Sequence, residues 1–414
     1  MTLDIAIIGA GAAGISAART AQALGKTCLV LEARQRVGGR AFTDTSLGVP
    51  YDAGAAYIHF SNRNPWVREA HRLGIETKLW RGWTHHEPWI GGHPVSAEDR
   101  EHRLGGYGEF WEHIESLGEV FADRSIAEAA LHLSRWGQST AFNMARLGLG
   151  EDASRLSLQD YVSQWDGPDH IVPQGYGALV EASAREIPIQ LGVVVKRVSA
   201  QAAGFEIETD QGTFHARTVI VTVSVGVLQA EQMAFEPHLP LSILRALDGL
   251  GMGALTKVAM SFDGERFGIK PGEDKIILDA PGGAMTFEVW PFDRNIVIAV
   301  TGGDAGRDLC QMGERGAVEA AATLFSSLVG QDCRKHLLGG RLAGWWTDPF
   351  SRGGYAYAKP MENKARKALM ETGIDGLYLA GEATAGGRFG ATMTVAGASY
   401  AGWDAAKQAA KYLG

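Results

Sequence analysis

The sequence predicts an α/β fold built from two interleaved units, and three observations lead to this expectation. Residues 3–8 form a short, almost continuous apolar run, the pattern of a parallel strand that is buried on both faces. A glycine turn, a helical stretch over 15–24 and a second apolar strand over 27–31 follow, which makes a βαβ unit. Strands of the same buried character recur near 190–223 and near 377. Because these segments are far apart in the chain, the core that they share must be assembled from separate pieces.

The segments between those strands predict the second, α+β unit. Residues 61–169 are mostly helical in pattern, and strand patterns dominate from 193 to 301. The individual expectations are strands over 193–198, 205–209, 213–216, 219–223, 258–262, 275–278, 284–290, 295–301 and 377–379, and helices over 316–328 and 394–412. We therefore assign residues 1–58, 170–225 and 345–414 to one unit, and residues 59–169 and 226–344 to the other.

The composition argues against one class of binding partner, nucleic acid, and favours backbone contacts with a ligand. The 414 residues include 39 Lys and Arg against 47 Asp and Glu, a net charge of −8, which argues against a nucleic-acid partner. Glycine is the unusual residue, with 54 copies that cluster in pairs and triplets without a collagen period. Such clusters are typical of tight turns and of backbone that approaches a ligand closely.

The cysteines and the ends of the chain bear on its location. Cys28, Cys310 and Cys333 form an odd set without C-x-x-C spacing, which favours neither a disulfide framework nor a thiolate metal site. The histidines likewise lack the spacing of a metal site. No signal-peptide pattern precedes the first strand, and no apolar run reaches 18 residues. We expect a cytoplasmic protein with no bound metal and no stable membrane association.

The most informative motif lies between the first strand and the first helix. Gly9-Ala10-Gly11-Ala12-Ala13-Gly14 matches G-x-G-x-x-G, and Glu32 follows 18 residues later at the end of the second strand. Gly9 permits a tight turn, Gly11 lets a pyrophosphate approach the helix N-terminus, where Ala13 also lies, and Gly14 lets the helix meet the strand. Glu32 would accept hydrogen bonds from ribose hydroxyls. A chance glycine turn with a solvated acid is the alternative, but the combined spacing favours a Rossmann-like dinucleotide site.

The residues after Glu32 indicate which dinucleotide is bound. Gly38, Gly39, Arg34 and Arg40 would supply a second set of backbone N–H and guanidinium donors, as an extended flavin dinucleotide needs. The alternative is a solvated basic turn formed by Arg34, Arg36 and Arg40. The pattern E-x-x-x-x-x-G-G-R resembles the signature of the FAD-dependent amine oxidase superfamily, which also includes protoporphyrinogen oxidases and carotenoid desaturases.

The resemblance covers most of the chain. Residues 52–59 with Asn64-Pro65 resemble a segment of the polyamine oxidases, and residues 173–180, 189–198, 251–258, 345–355 and 380–384 are similar to further family segments in the same order. The resemblance implies the monoamine oxidase and polyamine oxidase fold, in which a Rossmann-like FAD-binding domain is interleaved with an α+β substrate-binding domain. It also implies further FAD contacts at Ala33, Ala55, Ala56, Tyr57, Val195, Trp345, Gly381, Glu382, Thr394 and Val395.

Lys257 is the residue that most favours an amine oxidase. It interrupts an apolar strand pattern, where an unpartnered lysine would be costly to bury. The resemblance implies that it faces the flavin and reaches N5, the atom that accepts hydride, through a water molecule. The alternative is an exposed lysine on the solvent face of the strand. Desaturases of the superfamily do not as a rule keep this lysine.

The resemblance also predicts the walls of the substrate pocket. Gly354 stands where monoamine oxidases carry a cysteine joined to FAD, so we expect noncovalent FAD, with Tyr355 as one aromatic wall rather than a core tyrosine near a turn. Phe389 is the candidate for the second wall, although about two extra residues and no tyrosine follow the G-E-x-T motif here. His59 is either a hydrogen-bond partner of the substrate or a packed histidine. The aromatic and imidazole side chains of residues 80–89 either wall the cavity or stabilise a hairpin.

The predicted function is oxidation of a small-molecule amine. The resemblance implies hydride transfer to flavin N5, reoxidation by O2 to hydrogen peroxide, and hydrolysis of the imine to a carbonyl. Two alternatives stay open: a flavin-dependent desaturase that acts on carbon–carbon bonds, and a non-catalytic FAD-binding scaffold. A homodimer is compatible with this prediction, and the sequence does not specify the amine.

Overall fold

The computed structural model describes residues 2–117, 121–371, 375–385 and 390–414. In chain order the strands of these residues are β1 (Leu3–Ile8), β2 (Cys28–Glu32), β3 (Thr43–Asp44), β4 (Tyr51–Asp52), β5 (Tyr57–Ile58), β6 (Lys78–Leu79), β7 (Glu87–Ile90), β8 (His93–Pro94), β9 (His170–Ile171), β10 (Ile189–Leu191), β11 (Val195–Gln201), β12 (Gly204–Thr209), β13 (Gly212–Val221), β14 (Ala234–Glu236), β15 (Leu250–Met252), β16 (Thr256–Phe262), β17 (Lys275–Ile277), β18 (Met285–Val289), β19 (Ile296–Thr301), β20 (Leu337–Ala343), β21 (Ala356–Ala358) and β22 (Leu377–Leu379).

The α-helices of the same residues alternate with those strands. They are α1 (Ala12–Ala23), α2 (Pro65–Arg72), α3 (Ala97–Ser116), α4 (Ile126–Ala130), α5 (Arg135–Asn143), α6 (Leu158–Val162), α7 (Tyr176–Ser183), α8 (Val225–Gln229), α9 (Leu241–Asp248), α10 (Gly303–Val329), α11 (Ala365–Glu371) and α12 (Val395–Leu413). Within the described residues, no helix combines the length and the apolar character needed to cross a membrane.

The first large sheet contains the predicted βαβ unit. Its strand order is β10-β2-β1-β13-β12-β11-β14, and β22 pairs with β13. The strands β10, β2, β1, β13 and β22 run parallel, whereas β11, β12 and β13 form the expected antiparallel meander. Strands from three distant parts of the chain therefore share one core, as the sequence predicted, and the α/β fold with a Rossmann-like unit is confirmed.

Small residues let the first and last helices cover this sheet together. α1 and α12 pack so closely that a Cβ on Gly402 would lie only 2.0 Å from the carbonyl oxygen of Ala13. The helices can approach this closely only because residue 402 is glycine. Ala405 and Ala406 continue the contact surface of α12 and are buried. The close approach brings the N-terminus of α12 to the same side of the molecule as the glycine turn before α1.

The second large sheet has the strand order β20-β16-β19-β18-β17-β7-β8. It is antiparallel except for the parallel pair β17 and β7. Aromatic side chains fill the space between this sheet and α10, among them Phe262, Phe287 and Trp290, which cluster with Phe325 of α10. The opposite face carries the residues that matter for function.

Several boundaries differ from the expectations. The strands expected at 213–216 and 219–223 are one continuous strand, β13. Of the two polar residues between them, Arg217 points outward and Thr218 is buried with its hydroxyl donating to the Asp4 carbonyl (2.9 Å), so neither interrupts the strand. The helix expected from 316 begins at Gly303, with a break at Gly313 (φ +69°) that hid its first part. β20 was not predicted, since its glycines resemble a loop.

The division into the two units given above stays a prediction. β14 lies within the residues assigned to the second unit, yet it pairs with β11 of the first sheet. The Trp- and His-rich stretch forms a short 3₁₀ turn (Trp83–His85) and the β7–β8 hairpin, which joins the second sheet through β17.

Candidate active site

A cavity of about 580 Å³ is lined by residues of both large sheets. Nearly every residue that the sequence suggested for FAD or substrate contributes to its wall. These residues are Gly9, Gly11, Ala13, Glu32, Ala33, Arg34, Gly38, Gly39, Arg40, Ala55, Ala56, Tyr57, His59, Val195, Lys257, Trp345, Tyr355, Gly381, Glu382, Thr394 and Val395. We call the part lined by Gly9, Gly11, Glu32, Gly38 and Gly39 the glycine end, and the part lined by Tyr57, Leu255, Lys257, Glu288, Val300 and Tyr355 the sheet end.

The first glycine turn has the geometry that its motif requires. Gly9 has a φ of +104°, and a Cβ there would lie 2.6 Å from Thr222 Oγ1. Gly14 does not line the cavity, but a Cβ on it would lie 1.9 Å from the Gly9 carbonyl oxygen, so α1 meets β1 only because this residue is glycine. A Cβ on Gly11 would meet no atom within 4 Å, which leaves open space at the N-terminus of α1.

The second glycine segment packs directly on the first. The Gly38 N–H donates to the Ala10 carbonyl (2.9 Å), and a Cβ on Gly39 would lie 3.3 Å from the Gly11 Cα. Gly38 and Gly39 have φ values of +91° and +58°, in the region that favours glycine. The two motifs, about 30 residues apart, therefore form one surface.

Glu32 is held in place by backbone donors rather than solvated. The residue is 5% exposed, and its two carboxylate oxygens accept hydrogen bonds from the N–H groups of Ala10 (2.7 Å) and Arg34 (2.8 Å). The carboxylate thus lies beside the first glycine turn, where the sequence analysis expected a ribose to bind.

Arg40 joins three separate parts of the chain. Its Nη1 donates to the carbonyl of Gly354 (2.8 Å) and to Glu382 Oε1 (2.8 Å), and the Ala356 N–H donates to the same glutamate oxygen (3.0 Å). The other oxygen of Glu382 is buried and has no hydrogen-bond partner. A buried acceptor without a donor is costly, which indicates that a ligand completes this position.

The solvated basic turn is the wrong alternative for these arginines. Arg34 forms an ion pair with Asp348. Arg36 lies with its guanidinium 3.9 Å from the centre of the Phe42 ring and donates to the Gly39 carbonyl (2.8 Å), and burial lowers its pKa to about 10. Arg36 therefore supports the second glycine segment from outside the cavity wall.

Lys257 is buried at the sheet end, so the exposed-lysine alternative is wrong. It is 5% exposed, and its Nζ donates to the carbonyls of Asp52 (2.9 Å) and Gly54 (3.0 Å). The Trp345 Nε1–H donates to the carbonyl of the residue between them, Ala53 (3.0 Å). Three consecutive carbonyls thus face donors from two predicted site residues. An ammonium group has three hydrogens, and two of them are used here.

Tyr355 and His59 both line the cavity. The Tyr355 hydroxyl donates to the Gly148 carbonyl (2.8 Å), and burial raises the pKa of this phenol. His59 is paired through Nδ1 with Asp169 Oδ2 (3.1 Å), and its side chain is 41% exposed, so it is not a packed core histidine. Phe389, the candidate for the second aromatic wall, lies outside the described residues.

The hairpin that precedes α3 stands behind the cavity rather than in its wall. The Trp80 ring packs on Tyr57 with 4.4 Å between ring centres, and His85 Nε2 contacts Asp274 (2.9 Å) with His86 nearby. This imidazole and carboxylate group was not predicted, and His85 and Asp274 are its directly hydrogen-bonded pair. The side chain of Trp83 lies outside the described part of the chain.

Glu288 is the functional candidate that the sequence analysis missed. It lies on β18, lines the sheet end, and accepts a hydrogen bond from the Tyr57 hydroxyl (2.8 Å). Burial raises the pKa of its carboxyl, while the nearby Lys257 opposes that shift. The available signal was a single acid in the otherwise apolar strand over 284–290.

The cavity fits an FAD molecule on three observations. The space in front of Gly11 is open because the residue has no Cβ, so a ligand can approach the backbone there. Among the residues that the structure describes, Glu382 Oε2 has no hydrogen-bond partner and needs a donor such as a sugar hydroxyl. The N-termini of α1 and α12 both contribute to the wall, and neither helix has an acid in its first turn. Helix N-termini attract phosphate groups, so the donor set suits a pyrophosphate.

Comparison with known proteins identifies the family. Residues 109–410 match the family model described as flavin-containing amine oxidoreductase, and residues 7–72 match an NAD(P)-binding Rossmann-like domain. The first match covers more than half of the chain. The chain belongs to the flavin-containing amine oxidoreductase family. It is therefore an FAD-dependent oxidoreductase that acts on CH–NH bonds.

The relatives of this amine oxidoreductase are similar over most of its length. Polyamine oxidase 4 of Oryza sativa subsp. japonica is 28% identical over 99% of this chain and 89% of the relative. Polyamine oxidase 2 of Arabidopsis thaliana is 26% identical over 92% of this chain and 83% of the relative. Lysine-specific histone demethylase 2 of Homo sapiens is 25% identical over 92% of this chain, but the match spans only 50% of that protein.

Proposed function

We propose that this enzyme oxidises a small-molecule amine at the sheet end of the cavity, with O2 as electron acceptor. The observation that carries the proposal is the continuous cavity that joins the glycine end to buried Lys257 and to Tyr355. The chemistry that bound FAD supplies is two-electron oxidation of the amine to an imine, with hydride passing to N5 and O2 afterwards reduced to hydrogen peroxide. Water then hydrolyses the released imine to a carbonyl compound.

The glycine end would hold the dinucleotide. Glu32 would accept hydrogen bonds from a ribose, and the N-termini of α1 and α12 would face the pyrophosphate. Glu382 has the unpartnered oxygen that would accept from a ribityl hydroxyl. The remaining predicted contacts, from Ala33 to Val395, would complete the site through backbone and van der Waals contacts.

The sheet end would orient the amine. Tyr355 would form one wall, held by its hydrogen bond to Gly148, and His59 at the rim would be available to the substrate while Asp169 fixes its ring. Lys257 is a fixed positive charge, so a neutral amine is favoured beside it over an ammonium group. A hydrocarbon wall from Leu255 and Val300 limits water around the reacting carbon.

The alternatives are less well supported. A desaturase has no use for the buried, doubly hydrogen-bonded Lys257, and a non-catalytic scaffold has no use for a hydrocarbon cavity that continues beyond the dinucleotide site. We also propose a reducing location such as the cytoplasm, which is supported by three free, buried cysteines. A homodimer stays a prediction that native mass measurement would test.

Anaerobic mixing of the yellow holoenzyme with a panel of amines tests the function. We expect at least one amine to bleach the flavin absorbance, and air to restore it with production of hydrogen peroxide. Supernatant colour after acid precipitation provides the control that FAD is present and noncovalent. If no amine bleaches fully loaded enzyme, the proposed activity is wrong.

A further inference from the structure

The sheet end carries one basic residue, Lys257, and one acidic residue, Glu288, and the proposed reaction gives a role only to the lysine. Lys257 and Glu288 line its wall together with Leu255, Val300 and Tyr355, and Val300 lies between the two charged residues in the sheet register. A carboxylate is costly in such surroundings unless something cationic is bound to it. No part of the amine oxidation given above requires this acid.

The sheet register places the two charges on one face at a defined separation. Lys257 of β16 is opposite Val300 of β19, which is opposite Thr286 of β18. Glu288 is two residues beyond Thr286 and therefore points to the same face. Strands that are two positions apart in a sheet are separated by roughly 10 Å, and the two-residue offset of Glu288 adds roughly 7 Å along the strand, so the two Cα atoms are roughly 12 Å apart. A chain of several methylene groups fits between two nitrogens placed at these sites.

The Lys257 ammonium is directed at backbone carbonyls, whereas the Glu288 carboxylate has no cationic partner within the described part of the chain. The ammonium of Lys257 is directed at the Asp52 and Gly54 carbonyls, and among the described residues no lysine or arginine nitrogen lies within 4.0 Å of the Glu288 carboxylate. Glu288 instead accepts from the Tyr57 hydroxyl (2.8 Å), and Tyr57 is itself packed on Trp80. The carboxylate is oriented by a neutral donor, and its charge is left for a ligand.

We propose that Glu288, positioned by Tyr57, binds a second cationic nitrogen of the substrate and so selects diamines and longer polycationic amines over monoamines. The inference rests on the proposed amine oxidation. The reacting nitrogen lies near Lys257 as a neutral amine, and the distal nitrogen lies at Glu288 as an ammonium ion, because each charge favours that protonation state at its own position. Glu288 acts on binding and specificity and takes no part in the redox step.

The test compares matched amines in the holoenzyme. The probes are 1-aminobutane against 1,4-diaminobutane and 1-aminohexane against 1,6-diaminohexane, measured as anaerobic flavin reduction to separate the dissociation constant from the rate constant. We expect the wild type to favour the diamine of at least one pair by tenfold or more, mainly through the dissociation constant. Glu288→Gln, which keeps the volume and the acceptor for Tyr57, should lower that diamine-to-monoamine ratio at least tenfold.

Two further variants sharpen the result. Tyr57→Phe should lower the ratio by a smaller factor, because the carboxylate stays but loses its orientation. Glu208→Gln removes an exposed acid of β12 on the first sheet and should keep the wild-type ratio. A wild type without diamine preference, or a Glu288→Gln enzyme that keeps it, would overturn the inference while amine oxidation stands.

A binding measurement separates this inference from the proposed function. Thermal unfolding of the holoenzyme under argon should show a larger rise in Tm with 1,6-diaminohexane than with 1-aminohexane, and Glu288→Gln should remove the difference. If no amine reduces the flavin, the oxidase proposal fails, but this Tm difference still supports or refutes the cation site at Glu288.

Discussion

The glycine end and the sheet end of the cavity are built by different means. The glycine end consists of backbone turns that pack on each other, with side chains such as Glu32 fixed by neighbouring N–H groups. The sheet end consists of side chains from distant strands, such as Lys257 and Glu288, that meet only through sheet register. Changes at the first end should therefore affect FAD affinity, and also folding where a turn is closely packed, whereas changes at the second should affect the reaction and its specificity.

The largest expected effect is at the first glycine turn. Gly14→Ala places a Cβ within 1.9 Å of the Gly9 carbonyl oxygen, which should cost about 3 kcal/mol of stability, the upper end of the range for overpacking, and abolish FAD retention. Gly11→Ala meets open space in the protein, so its Tm without FAD should match the wild type while its FAD affinity falls. Gly105→Ala, in α3 with no neighbour within 4 Å, is the control for added helix propensity. Equal FAD occupancy in the Gly14 and Gly105 variants would contradict this account.

Two buried lysines of the second sheet provide the next comparison. Lys257→Met leaves the carbonyls of Asp52 and Gly54 without their donor, so we expect a stability loss of about 1–3 kcal/mol, more than volume alone would suggest. It should also slow flavin reduction or reoxidation tenfold or more in stopped-flow measurements, since 1.4 kcal/mol of lost stabilisation is tenfold. Lys275→Met removes a lysine paired with Glu87 outside the cavity wall and should change stability only. Similar half-reactions in both variants would remove Lys257 from the chemistry.

Glu32→Ala should affect the glycine end alone. Loss of the acceptor for Ala10 and Arg34 and for a ribose hydroxyl should weaken FAD binding by about 1–3 kcal/mol. FAD dissociation constants of the mutant and the wild type, measured by flavin fluorescence, check this value. The dissociation constant for amine in fully FAD-loaded enzyme should stay the same, and a change there would mean that the two ends are coupled.

The smallest expected effect is the pH dependence of stability at Glu288. The charged or titratable groups that act on this carboxyl are Lys257, Tyr57, Asp274 and Asp52, and burial raises its pKa above the unfolded value of about 4.3. Above that value the unfolded chain releases the proton before the folded chain does, so ionisable Glu288 lowers stability as pH rises. Holoenzyme with Glu288→Gln should thus have a higher Tm than the wild type at pH 7.5, and the gap should shrink toward pH 4. A gap independent of pH would show that Glu288 is not in a charge-disfavouring site.

The same difference between the ends explains what the sequence could predict. Local motifs determine the glycine end, because a glycine with positive φ or no room for a Cβ leaves its mark at one position, and Gly9, Gly14 and Gly38 were all found. β22, in the sheet that supports this end, was located to the residue. Glu288 was missed because its role depends on β18, β19 and β16 lying side by side in a particular register. Residue spacing along one strand contains no such information.

The hydrogen bonds of Arg40 have a consequence for how the enzyme is made. They tie residue 40 to Gly354 and to Glu382, and α1 packs on α12, so the nucleotide site joins the beginning of the chain to residues more than 300 positions later. During synthesis the first βαβ unit leaves the ribosome long before these partners exist. FAD can therefore be bound tightly only after residue 395 has been translated. Because bound FAD stabilises the completed fold, the FAD concentration at that moment would govern the yield of native enzyme.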